Sequence, residues 1–216
     1  LNTDRSANLL SGRLRVTLDQ DLPETVLVKS DSAQDSAERL PGIRIVTNES
    51  WKTVELNGEE VEIPHDWLIS KISSIFDVSM GVTILSKNTQ SDFFSKSLPV
   101  YSATEKNTVF GYVGDDLIAE NKILCNGDLI LGARGSLGYP KKVKNRSTST
   151  QTTIQLKKKS IADTDFVFHN LNFNNNKLFS GSGSGVPMLT VRDVAEIQVA
   201  TPAINEQTLI SQVLNA

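Results

Sequence analysis

Through the first 62 residues, apolar positions come in short runs with a two-residue period. LRVTL at 14–18, ETVLVKS at 24–30, IRIVT at 43–47, WKTVEL at 51–56 and EEVEI at 59–63 are rich in β-branched residues, which predicts a meander of short strands. Asn57-Gly58, between the last two, predicts a tight hairpin because both residues tolerate positive φ. The polar segment DSAQDSAERLPG reads as a loop with one helical turn. IPHDW at 63–67 then marks a boundary, and WLISKISSIFDVSMG predicts strand, short turn and strand, closed by Gly81. Further strands are expected in LPVYSA at 98–103, TVFGYVG at 108–114 and ILCNGDLILGARG at 123–135, the last turning at Asn126-Gly127, and in STSTQTTIQL. A helix is predicted from Asp163 to Leu171, capped by Asp163 or Thr164. Val194 to Val199 reads as a last strand. A closing helix then starts at Asn205, with Glu206 in its first turn and Leu209, Ile210, Val213 and Leu214 on one face.

This pattern predicts an α/β (α+β) class: a twisted mixed β-sheet globule with few helices, a small N-terminal β-rich appendage and a C-terminal helix. Residues 1–62 read as the appendage or as the tail of a preceding domain, 63–204 as the main domain and 205–216 as the start of the closing helix. At 216 residues the chain is long enough for one good core and a small addition. It begins at Leu1 rather than Met, which fits a piece of a longer polypeptide. The absence of a long apolar run or a charged leader argues against a membrane span or secretory signal. The single cysteine, Cys125, suits a reducing, cytoplasmic setting, and its apolar surroundings predict a buried, inert thiol.

Charge changes the picture. The 26 residues from Arg134 to Lys159 hold eight Lys and Arg and no acid, whereas the other 190 residues carry a net charge of −11. Arg134, Lys141, Lys142, Lys144 and Arg146 stand among Ser136, Asn145, Thr148 and Gln151, so cations that bind phosphate lie beside groups able to reach base edges. Nucleic acid is the partner this composition favours. A solvated hairpin face accounts for the segment equally well by itself. Tyr139, between Gly138 and Pro140 and followed by two lysines, is the aromatic expected to reach such a partner. Lys87, in the polar loop after Gly81, is a further candidate.

Catalytic patterns are weak. Phe179-Ser180-Gly181-Ser182-Gly183 has the F-x-G-x-G form of an S-adenosylmethionine loop, but it follows a polar run and leads into Val186-Pro187 rather than a helix. It reads as a loop whose Ser182 and Ser184 can touch DNA phosphates. His65, His169 and Cys125 form no ligand spacing, and neither a phosphate-binding GKS/T loop nor a nucleophile elbow occurs. No metal, cofactor or catalytic residue is therefore expected. A nuclease or methyltransferase fragment with a degenerate motif stays open as an alternative. So does a β-rich protein- or carbohydrate-binding module using LNFNNNK as a contact loop.

Four segments in order, IPHDWLISKISSIFDVSMGVT, LPVYSATEKNTVFGYVG, NGDLILGARGSLG and GVPMLTVRDVAEIQVATPAINEQTLISQVL, resemble a target recognition domain of type I restriction-modification specificity subunits. The resemblance implies an α/β globule that reads part of a double-stranded DNA target without chemistry of its own. It also implies partner adenine methyltransferase and restriction subunits or domains, reached through a spacer helix that starts near Glu206-Gln207. Two arrangements remain open: a half-length specificity subunit, or the recognition part of a fused methyltransferase or restriction protein. In the residues, Arg134 or Arg146 is expected at guanine and Gln151 or Asn145 at adenine.

Overall fold

The computed structural model describes the strands Val16–Leu18, Val26–Val28 and Ile43–Arg44 and residues 51–104, 109–179 and 188–215. The α+β class holds, with the strands distributed over several sheets of two to four members. The chain divides into two compact units. One comprises residues 1–70, 161–173 and 198–216, and the other 71–160 and 174–197. The first therefore draws together pieces on both sides of the boundaries expected at 62/63 and 204/205.

In the first unit, Val16–Leu18 pairs antiparallel with Val26–Val28, which pairs in parallel with Ile43–Arg44. Trp51–Leu56 and Glu59–Pro64 form the predicted hairpin, with Asn57 at φ 53° and Gly58 at φ 83°. The side chain of Asn57 then brackets Gln198: Nδ2 donates to its carbonyl at 2.8 Å and Oδ1 accepts from its amide at 2.8 Å. Strand Gln198–Thr201 pairs with Leu68–Lys71. Helix Thr164–Phe173 packs against Ile204–Asn215. Asp163 is its cap, since Oδ1 accepts from the Phe166 amide at 2.9 Å and from Ser211 Oγ of the partner helix at 2.7 Å. Trp67, Phe166, Val167, Leu171, Val199 and Ile210 are buried in this unit.

Two expectations are corrected. Val194 to Val199 is not a single strand: Val191–Glu196 is a helix, and Gln198–Thr201 is the strand. A capping box decides it, with Asp193 N donating to Thr190 Oγ1 at 3.1 Å and Thr190 N to Asp193 Oδ2 at 2.9 Å. Cys125 is exposed, because it opens a turn in which its amide is held by Asp128 Oδ2 at 2.8 Å.

The second unit is built on a four-stranded antiparallel sheet in the order Pro140–Lys142, Leu129–Gly132, Thr153–Lys158, Phe76–Met80. Leu129–Gly132 is buried at every position and Thr153–Lys158 over its first four, as inner strands should be. A second sheet sets Thr148–Ser149 parallel to Ser97–Tyr101, which pairs antiparallel with Val109–Gly114. Leu98, Val100, Val113, Ile118 and Ile123 form one apolar cluster, and Leu124, Ile130 and Val143 another. The predicted STSTQTTIQL strand is broken by a turn at Thr150–Thr153, where Thr153 N donates to Thr150 O at 3.0 Å. Gly81 lies directly against that turn. A Cβ there would overlap Thr150 O and meet Thr153 Oγ1 at 2.7 Å and Ser149 O at 2.8 Å. Gly81→Ala is expected to destabilise the protein by about 1–3 kcal/mol through forced displacement of the turn, measured by urea unfolding. An unchanged midpoint would show that the turn gives way without cost.

Candidate nucleic-acid interface

The register of the inner strand sorts the basic stretch into two ends. Leu131 pairs with Pro140 and Gly132 with Thr153, so the 133–139 connection and the Thr150–Thr153 turn emerge together beyond Gly132. Leu129 pairs with Lys142, so residues 143–147 leave at the opposite end, where Val143 N donates to Asp128 O at 3.0 Å.

At the Gly132 end the backbone is heavily tied. Ala133 N and Arg134 N both donate to Thr152 O, at 2.8 and 3.2 Å, and Leu189 N donates to Ala133 O at 3.0 Å. Thr150 and Thr152 share a hydroxyl hydrogen bond of 2.7 Å. Gly81 N donates to Thr153 O at 2.9 Å and Val82 N to Ser149 O at 2.8 Å, laying residues 81–83 alongside the turn. On this anchored backbone stand two exposed polar side chains, Arg134 and Gln151. Arg134 is steadied by its Nε donating to Met188 Sδ at 3.0 Å, and Gln151 Oε1 accepts from Thr83 Oγ1 at 2.8 Å. Ser136, half-buried, and Tyr139, 40 % exposed, belong to the same connection. Neither Thr83 nor Met188 was singled out by sequence, because each lies more than 50 residues from its partner, at separations of 68 and 54.

Other candidates sit elsewhere. Lys141 is 6 % exposed, and its Nζ donates to Ser102 O at 2.7 Å and Thr104 Oγ1 at 3.4 Å, so it braces the 102–104 segment rather than facing solvent. Burial lowers its pKa below the ordinary lysine value. Thr148 is fully buried, its hydroxyl donating to Lys122 O at 3.0 Å. Lys142 is half-buried, while Lys144, Asn145 and Arg146 are exposed at the far end of the strand. There Arg146 is engaged by Asp115 at 3.0 Å and Glu120 at 3.9 Å. Lys87 is exposed on the short turn Ser86–Asn88. Ser182 and Ser184 lie outside the described residues.

Among the described residues, no three His, Cys, Asp or Glu side chains are grouped to hold a metal ion. No described helix is long and apolar enough to cross a membrane. The chemistry at the Gly132 end is that of hydrogen-bond donors and acceptors on a fixed backbone.

Residues 64–216 match the family described as type I restriction modification DNA specificity domain. The chain belongs to this family. It is a DNA specificity module, a recognition domain rather than a catalyst. Solved structures agree at the level of fold. One, described under complex assembly and conformational transition of the type I R-M system, aligns with TM-score 0.59 and 17 % identity over 71 % of this chain and 38 % of that one. The HsdS subunit from Thermoanaerobacter tengcongensis aligns with TM-score 0.56 and 16 % identity over 71 % and 37 %. The type I restriction-modification S subunit from M. genitalium aligns with TM-score 0.55 and 16 % identity over 70 % and 39 %. The alignments thus span under two-fifths of each of those proteins. A search of curated proteins gives no match.

Lys141→Ala leaves the Ser102 carbonyl with only the Thr104 amide as donor and removes the brace on the 102–104 segment, which is expected to cost about 1–3 kcal/mol of stability, read by thermal unfolding. Arg134→Ala, which removes an exposed side chain, should leave the melting temperature unchanged. Equal losses in the two variants would contradict the division between bracing and exposed cations.

Proposed function

We propose that the chain reads one part of a duplex DNA target for a type I restriction-modification system. Adenine methylation and cleavage would be carried out in the cytoplasm by partner methyltransferase and restriction subunits, or by domains joined to this one in a longer polypeptide. The match of residues 64–216 to the DNA specificity family carries this reading. The placement of Arg134 and Gln151 on one anchored edge supports it, because base reading needs donors and acceptors whose positions are set before the DNA arrives.

In this proposal the Gly132 end faces base edges, with Arg134 at guanine and Ser136 and Tyr139 beside it. Lys142, Lys144, Asn145 and Lys87 supply sequence-independent contacts to phosphates. Arg146 contributes less than its charge suggests, since two carboxylates already engage it. The helix Ile204–Asn215 corresponds in sequence to the segment by which the resembled family reaches its methylating subunits, and we assign it that contact.

Counterion release makes the logarithm of affinity fall linearly with the logarithm of salt concentration, with a slope of roughly −0.9 per neutralised phosphate. Lys144→Ala should reduce that slope by about one and weaken binding to all sequences alike. Arg146→Ala should reduce it by less. Titrations of duplex DNA at several salt concentrations measure both, and affinity that does not respond to salt would sink the reading.

A further inference from the structure

The edge beyond Gly132 holds a glutamine whose amide is already tethered by a hydrogen bond from a neighbouring segment. Gln151 stands in the turn Thr150–Thr153, which is closed by Thr153 N on Thr150 O at 3.0 Å and by the Thr150–Thr152 hydroxyl pair at 2.7 Å. The neighbouring 81–83 segment is held against it, because Val82 is bridged in parallel with Thr150 and Gly81 leaves no room for a side chain against the turn. Thr83, one residue beyond that pairing, is thereby delivered to Gln151, and its hydroxyl donates to Oε1 at 2.8 Å. Both side chains are exposed.

A glutamine amide presents an acceptor and a donor side by side, and a half-turn of the amide exchanges them. The Thr83 hydroxyl occupies one lone pair of Oε1 and tethers the amide to the neighbouring segment. A second lone pair remains on Oε1, and Nε2 has no partner among the described residues. The remaining acceptor and donor match the N6 amino group and N7 of adenine in the major groove. Arg134 stands on the same edge, tied to the turn through Thr152 O. Lys144, Asn145 and Arg146 emerge from the other end of the strand, and Asn145 is placed with them.

We infer that Gln151 reads an adenine in the target and that Thr83 is its positioning residue. This rests on the DNA-reading function proposed above. It chooses Gln151 over Asn145 and gives Thr83 a role in specificity.

The test begins with selection from a random duplex library by the full wild-type chain, followed by affinities for every single base-pair change in the selected site. Gln151→Ala should lose roughly 5- to 150-fold of discrimination at one A·T pair, with affinity for unrelated duplex unchanged. Thr83→Val should lose roughly 2- to 10-fold at that same pair, the cost of ordering an amide left to rotate. Thr83→Ser should restore it. Placing 7-deazaadenine at that pair should weaken the wild type and leave Gln151→Ala unaffected. A merely structural role for Thr83 would change melting temperature or all base pairs together. If Gln151→Ala keeps the wild-type profile, or Thr83→Val matches wild type, the inference fails while DNA reading stands. If the wild type selects no sequence, DNA reading itself fails.

Discussion

The candidate interface depends on one constraint, the double tethering of strand Thr153–Lys158. It is paired on both edges, to Leu129–Gly132 and to Phe76–Met80, and it is buried over its first four residues. Two of those residues are polar and are held from within: Thr153 Oγ1 donates to Ser149 Oγ at 2.7 Å and Gln155 Nε2 to Lys122 O at 3.3 Å, while Gln155 Oε1 is left without a hydrogen-bond partner among the described residues. Such a strand cannot slide without exposing one partner or stranding the other. The turn that precedes it inherits this immobility. A recognition site carried by loops gains precision when their backbone is held in this way.

The same constraint explains why the basic stretch does not act as one surface. Along the sequence, eight cations fall within 26 residues. In the fold, a buried strand separates Arg134 from Lys144 and Arg146, and Lys141 is drawn inside to hold the carbonyl of Ser102. Arg146 faces carboxylates, an exposed pairing that contributes little to stability but lowers the charge offered to DNA. Local charge density in the sequence is a guide to a partner's chemistry. Strand register decides which of those charges share an end of the sheet.

Much of the fold was legible where the signal is local. Asn57-Gly58 specified its hairpin by the φ values its residues tolerate, and Asp163 announced a helix start that the structure places one residue later, at Thr164. The class and family could be read from four ordered segments. Helix Val191–Glu196 was missed because Val194, Ile197 and Val199 suggested a strand, while the decisive capping box lay upstream at Thr190 and Asp193. Cys125 looked buried because its neighbours are apolar, yet it belongs to a turn. The Thr83–Gln151 and Arg134–Met188 contacts were out of reach for a different reason. They join residues far apart in sequence through pairings that one sequence does not encode as any local pattern.

In the proposed function, DNA meets the end of the sheet beyond Gly132. Amide chemical-shift mapping of the isotopically labelled chain, titrated with its selected duplex, tests this most directly. The largest perturbations are expected at Thr83, at Ala133 to Ser136 and at Thr150 to Thr152, with smaller changes at Lys144 and Asn145. Perturbations concentrated at Asp115 to Lys122 and Lys144 to Arg146, with the turn at Gln151 unmoved, would contradict it.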